Sequence, residues 1–313
     1  MPEFLLRRME QNEWQEVADL IYESTNAWYM KNRGFKIFNG SRESTLLYCR
    51  VYESLDPGCT VIAVDRENGK IAGSCFIHPR PTHISLGIMN VHPDYFGCGI
   101  SSKLLKYITD LGDAEGKIVR LVSSAMNLDS FSLYSKGGFK PVLFFQDMTL
   151  KVPDEGIPCG IAGTLPHGVV IRDAMQDDVS EVVALEKELY HIEREKDFRY
   201  FIENRDGLWR MMVCVNPSGK IDGYIVSVRS EASHMLGPGI ARTEEQAIAL
   251  LYSELDHHRG TQPVWLIPSK CQKLAQAMYA IGAKNCELHV AQVRGEVPPE
   301  RGVVLPTFMP ETC

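Results

Sequence analysis

Two glycines one residue apart, Gly97 and Gly99, interrupt the stretch HPDYFGCGISSKLLKYI where an apolar run gives way to a helical pattern. A helix start presents backbone N–H groups with no partner and a partial positive charge. Glycine lets an anion approach that backbone closely. Gly97 and Gly99 are therefore suited to hold a pyrophosphate on main-chain amides, with the Ser101 and Ser102 hydroxyls as further donors. By itself a G-x-G pair is a weak signal and favours a tight strand-to-helix turn with no ligand.

The surrounding elements decide what such a loop can serve. HISLGIMNV (His83–Val91) reads as a strand that His92-Pro93 stops. After the glycines, Ile100, Leu104, Leu105 and Ile108 share one helical face. A strand over Ile118–Val122, a polar turn at Asn127, a short helix to about Lys136 and GGF follow. TVIAVDRENGKIAGSCFI reads as a β-hairpin.

The pattern then repeats. LRRMEQNEWQEVADLIYES parallels VIRDAMQDDVSEVVALEKEL, the hairpin parallels RMMVCVNPSGKIDGYIVSV, and LYSKGGF parallels MYAIGAK. Three matched pieces in one order indicate a duplicated α+β unit. The units read as residues 1–151 and 169–295, joined by a Pro- and Gly-rich linker at 152–168. The tail, residues 296–313, has four prolines and no helical period; it fits a disordered end or a segment lying across the other unit. In the second unit Arg242 and Glu244 stand where the glycines would, and Thr243 with Gln246 reads as a helix capping box.

VHPDYFGCGI together with NLDSFSLYSKGGF resembles the GNAT superfamily of N-acetyltransferases. The matching positions are Val91, Pro93, Gly97, Gly99, Asn127, Leu133, Tyr134, Gly138 and Phe139. The resemblance covers most of residues 1–150. It implies two tandem GNAT-like domains of mixed α/β (α+β) class, each a mostly antiparallel, splayed sheet flanked by helices. It implies acetyl-CoA as cosubstrate and a primary amine as acceptor, meeting in a ternary complex. On that basis Met89, Asn90 and Val91 hold the pantetheine arm, and amides from Tyr95 through Phe96, Gly97, Cys98, Gly99 and Ile100 to Ser101 and Ser102 hold the pyrophosphate. Asn127 bonds pantetheine or orients its loop.

The resemblance also makes Tyr134 the acid for the departing thiolate. Its phenol, with a free pKa near 10, is close enough to a thiol near 8.5 for that transfer. Trp28, Tyr29 and Phe35, with Phe38, form either a wall of the acceptor pocket or the packing of a long segment, Glu23–Ser44. Gln146 and Asp147 are further candidates, the acid favouring a cationic amine. Asp94 departs from the family's Gln or Arg. The strand before Pro93 carries no carboxylate, so the base is open among His78, His83, His92 and a water relay. The second unit reads as a degenerate copy that shapes the cleft, binds a regulator or forms a homodimer. A CoA sensor without catalysis is the alternative function.

Bulk properties agree with a soluble enzyme. The chain has 313 residues and a net charge of −7, with no global pull toward nucleic acid or anionic membrane. Nine scattered cysteines without a CxxC pair point to reduced thiols in the cytoplasm and no metal cluster. No signal-peptide core or membrane-length apolar run is present.

Overall fold

The structure, a computed structural model, describes residues 2–157 and 168–310. Most of the linker, residues 158–167, lies outside the described residues, as do Cys159 and Cys313. The first unit runs β1 (Phe4–Arg8), α1 (Trp14–Arg33), α2 (Leu46–Leu55), β2 (Val61–Asp65), β3 (Ile71–Pro79), β4 (His83–Val91), α3 (Ile100–Glu115), β5 (Ile118–Ser124), α4 (Leu128–Lys136) and β6 (Lys140–Thr149). The second runs β7 (Val170–Asp173), α5 (Val179–Tyr190), α6 (Glu195–Glu203), β8 (Trp209–Val215), β9 (Ile221–Ser230), β10 (Ser233–Ala241), α7 (Glu244–His257), β11 (Val264–Pro268), α8 (Gln272–Ala280) and β12 (Lys284–Arg294), then β13 (Val303–Leu305) in the tail.

The repeat extends to the polar joints. Arg7 pairs with Glu13 through both guanidinium nitrogens, and Arg172 pairs with Asp178 in the same way. Glu16 accepts the Ile71 N–H at 3.1 Å, and Glu181 accepts the Ile221 N–H at 2.8 Å. Gly73 and Gly223 occupy matching points of β3 and β9. A Cβ at either would collide with the helix and strand behind it, including Leu104 at 3.4 Å and Leu250 at 3.0 Å respectively. Glycine there is what lets α3 and α7 lie close on the sheet.

One difference from the sequence reading concerns α1. The segment after Ser24 does not leave the helix as a loop; it continues to Arg33 and stops at Gly34, whose φ of 78° places it in the left-handed region. Gly34 donates to the Tyr29 and Met30 carbonyls at 3.1 and 3.2 Å, closing the last turn. Buried Ser24 and Asn26 had blurred the apolar period. Trp28 and Tyr29 therefore stand on a rigid helix.

The sheets of the two units merge. Strand order is β1-β2-β3-β4-β5-β12-β6-β11-β10-β9-β8-β7, with β13 beside β10. Each unit's closing strand sits in the other's sheet: β12 lies between β5 and β6, and β6 lies between β12 and β11. Pairing is antiparallel except for β4–β5 and β10–β11. One apolar cluster accordingly spans both units, from Ile21 and Phe76 through Phe145 to Phe198 and Tyr224.

Buried charges cross the same junction. Arg80 from the first unit bonds Asp56 of its own unit and Asp197 of the second, all three buried. His78 and His83 are also fully buried here. His78 Nδ1 lies 2.6 Å from Asp56, and burial pushes both imidazoles below their ordinary pKa, His83 strongly so. Neither lines the cavity described below, which removes both from the candidates for the base. The tail is ordered as far as described and crosses the other unit: Met309 is buried, and the Phe308 carbonyl accepts from Tyr52 at 3.2 Å.

Candidate active site

β4 and β5 pair only from His83↔Ile118 to Ser85↔Arg120. Beyond Ser85 the strands separate. β4 carries one extra residue opposite β3, between Leu86↔Ile77 and Met89↔Cys75, and this bulge bends it away. A cavity of about 720 Å³ opens at the separation. One wall is α1, with Ser24, Thr25, Trp28, Tyr29 and Lys31; a second is the end of β4, with Met89, Asn90 and Val91. The turn into α3 contributes Tyr95, Phe96, Gly97, Gly99, Ile100, Ser101 and Ser102, and the β5–α4 connection contributes Ser124, Asn127, Asp129, Ser130 and Leu133.

Gly97 and Gly99 have φ of 81° and 78°, a conformation that costs other residues about 1–2 kcal/mol. No protein atom lies within 4 Å of the place a Cβ would take at either position. Gly99 is the α3 N-cap and has no side chain to satisfy the first turn. The amides that follow it are thus open toward the cavity side of the helix start, the arrangement an anion requires.

Asp94 does not intrude on this loop. It sits on the short turn Pro93–Tyr95, 81% exposed, with its N–H donated to His92 Nδ1 at 3.2 Å. It faces a separate groove shared with Glu16, Asp19, Glu23 and Lys70. His92 lies in that groove as well, 3.4 Å from Glu23.

Three expected residues do not line the cavity. Cys98 packs against the core cluster of the first unit. Phe35 lies beyond the end of α1, 44% exposed, with its ring 5.7 Å from that of Tyr29. Tyr134 is buried beside Phe139, one position along α4 from the wall residue Leu133. Phe38, the fourth aromatic of that segment, is core, packed on Tyr22 and Tyr48. Asp147 is buried with its Oδ2 at 2.7 Å from His289 Nδ1, and burial raises its carboxyl above the usual range. Gln146 instead meets Tyr279 and Asn285.

Asn127 caps α4, its side-chain oxygen accepting the Ser130 N–H at 3.1 Å. Asn127→Ala should therefore cost about 1 kcal/mol of stability by denaturant titration. Asn127→Asp keeps the cap acceptor and should melt like the wild type. A loss of CoA affinity in both variants would then mark the amide nitrogen as a ligand donor, and a loss in the Asp variant alone would mark repulsion by its added charge.

Several wall residues escaped the sequence reading. Ser24 and Thr25 accept from Asn90 Nδ2 at 2.6 and 3.4 Å and tie α1 to β4. Ser124 and Tyr29 both donate to Glu287, which belongs to β12 of the second unit. Nothing in the local pattern around Glu287 links it to a site some hundred and sixty residues earlier; only the strand exchange does.

The second unit's counterpart is filled. β10 has a bulge at the matching point, between Leu236↔Ser227 and Gly239↔Ile225. Gly239–Ala241, which correspond to Met89–Val91, pair with Leu305–Val303 of β13. Thr243 and Gln246 form the expected capping box at 3.1 and 3.3 Å and satisfy the α7 start internally. Arg242 does not stand in the place of Gly97 as the sequence count from Pro238 suggests: Pro238 lies inside β10, and the Arg242 N–H bonds the Asp222 carbonyl as the His92 N–H bonds that of Ala72, so Arg242 matches His92; its side chain is engaged by Glu188 and Asp222.

This architecture matches known proteins on both halves. The Acetyltransferase (GNAT) family model matches residues 18–139, and an Acetyltransferase (GNAT) domain model matches residues 182–302. The chain belongs to the GNAT acetyltransferase family, as a tandem member, and its fold is one that serves acyl-CoA-dependent acyl transfer. Among solved structures, a Pyrococcus horikoshii protein aligns with a TM-score of 0.72 at 14% identity, over 96% of this chain and 92% of its own. A GCN5-related N-acetyltransferase from Sphaerobacter thermophilus aligns with 0.64 at 19%, over 95% and 97%. A tandem GNAT protein from the clavulanic acid biosynthesis pathway aligns with 0.62 at 14%, over 95% and 100%. No curated protein matches the sequence.

Proposed function

We propose that the protein is an acetyl-CoA-dependent N-acetyltransferase in which the first unit is active and a primary amine attacks the thioester directly in a ternary complex. One observation supports this most: the splay of the first unit opens into a cavity beside an uncapped, glycine-led helix start, whereas the tail strand occupies the same place in the second. In this reading the amides of Gly97 to Ser102 hold the pyrophosphate, and the backbone of Met89–Val91 holds the pantetheine arm. The backbone donors there stabilise the charge that develops on the thioester carbonyl oxygen. Trp28 and Tyr29 face the acceptor. Tyr134, buried one position from the wall residue Leu133, is the acid this reading assigns to the departing thiolate, which requires its hydroxyl to reach the cavity when acetyl-CoA is bound.

Calorimetric titration with acetyl-CoA should give one site per chain, and thiol release should follow with some member of an amine panel. Binding with no turnover on any amine would favour a CoA sensor; no binding would remove both readings. Tyr134→Phe should lower turnover by about 10²-fold, the lower range for a positioned acid, with acetyl-CoA affinity held. An unchanged rate would take Tyr134 out of that role.

A further inference from the structure

None of the carboxylates on the first unit's own strands lines the cavity to receive the proton of an attacking amine. Its buried histidines, His78 and His83, face the inter-unit junction. Asp129 is exposed on the first turn of α4, where an acid suits the helix start. We propose that the proton acceptor comes from the second unit: Glu287, carried into place by the exchange of β12, takes the proton of a cationic primary amine through Ser124. This rests on the acetyltransferase reading above.

The register of β12 on β5 sets His289 opposite Ser124, so Glu287 stands just past the end of β5. Its side chain is partly exposed and is held on both oxygens. The Tyr29 hydroxyl donates to Oε2 at 2.7 Å, and the Ser124 hydroxyl donates to Oε1. Both donors line the cavity, from α1 and β5 respectively. Burial, and then the Glu287 charge, raise the Tyr29 phenol, so Tyr29 remains a donor that orients the carboxylate.

Ser124 has the free capacity a relay needs. Its Oγ donates one hydrogen to Glu287 and accepts one from the Met126 N–H at 3.2 Å. A hydroxyl oxygen has two lone pairs, so one is left for a hydrogen bond from the substrate. The neighbouring acid, Asp147, is engaged by His289 instead.

The protons balance. An ammonium gives one proton to Ser124 Oγ while the Ser124 hydroxyl proton passes to Glu287. The freed nitrogen lone pair forms the C–N bond, and the C–S bond breaks with its electron pair on sulfur. The nitrogen sheds a second proton as the amide forms, replacing the one delivered to the thiolate. Glu287 then returns its proton to solvent.

The experiment compares Glu287→Gln and Ser124→Ala with the wild type on two nucleophiles, the best alkylamine of the panel and hydroxylamine, with acetyl-CoA affinity measured alongside. A positioned base contributes about 10²–10⁴-fold, so Glu287→Gln should lose about 10²-fold or more in kcat/KM with the alkylamine at neutral pH. Hydroxylamine is largely uncharged there and needs no prior deprotonation, so its loss should be under about tenfold. Ser124→Ala, a smaller perturbation of the strand, should show the same amine dependence. Equal losses on both nucleophiles, or losses that track acetyl-CoA affinity, would mean a structural role and overturn the assignment. Unchanged rates would overturn it too. A wild type active on the alkylamine with an unaffected Glu287→Gln variant removes Glu287 alone; a wild type inactive on the whole panel removes the acetyltransferase reading as well.

Discussion

Arg80→Met should destabilise the protein by about 3–5 kcal/mol, the usual consequence of removing one partner from a buried ion pair. The guanidinium is fully enclosed. Nη1 bonds both Asp56 oxygens at 2.9 and 3.0 Å and the Pro79 carbonyl at 2.8 Å, while Nε and Nη2 bond Asp197 at 3.0 and 2.7 Å. Burial alone would raise the Asp56 carboxyl; the contacts from His78 and Arg80 outweigh it and hold Asp56 well below the usual range. Without Arg80, Asp56 still meets His78 and Lys196, but Asp197 loses the guanidinium it is paired with. Urea unfolding would show the midpoint fall. Arg80→Met with Asp197→Leu should recover much of the loss, because an apolar pair of similar size is often as stable as a buried ion pair. A single-variant loss below about 1 kcal/mol would mean that water reaches the junction and screens the charges.

That junction also marks the boundary of what the sequence discloses. Elements whose signal is local were readable. The β4 span from His83 to Val91, the α3 start at Ile100 and the capping box at Thr243 depend on periodicity, Pro93, glycine and a Thr-x-x-Gln spacing, all within a few residues. The glycine loop was readable for the same reason. The far end of α1 was not, because Ser24 and Asn26 are buried for their hydrogen bonds to the Leu20 carbonyl and the Phe38 backbone and so interrupt the apolar stripe.

Partners were not readable either. Alternation along β6 or β12 tells which face is buried, yet it is the same whether the neighbour is a strand of the same unit or of the other. Once β12 is assigned to β5, Glu287 enters the first unit's site, Arg80 meets Asp197, and the tail is drawn across to Tyr52. The tail had two readings in sequence; its short apolar run, Val303–Leu305, becomes a strand because Gly239–Ala241 present an unpaired edge.

The exchange predicts a second large effect. Residues 1–157 produced alone should not yield a stable monomer, whereas residues 1–157 and 168–313 produced together should copurify one to one and bind acetyl-CoA. Without β12 the first half loses the ladder to β5 over Val119–Ser124 and the ladder to β6. Val290 and Val293, both almost fully buried, would no longer cover its sheet. Burial of each valine is worth roughly 1.5–3 kcal/mol, so these two alone remove about 3–6 kcal/mol from a net stability of about 5–15. Arg80 would lose Asp197, and Arg120, buried with its guanidinium 4.4 Å from the Tyr190 ring, would lose that cover as well. Size-exclusion chromatography and denaturant unfolding of each half would decide the matter. A monomeric 1–157 fragment with one sharp unfolding transition would mean that β6 can close directly onto β5, so that the exchange is one of two accessible pairings and is not needed to complete the first unit.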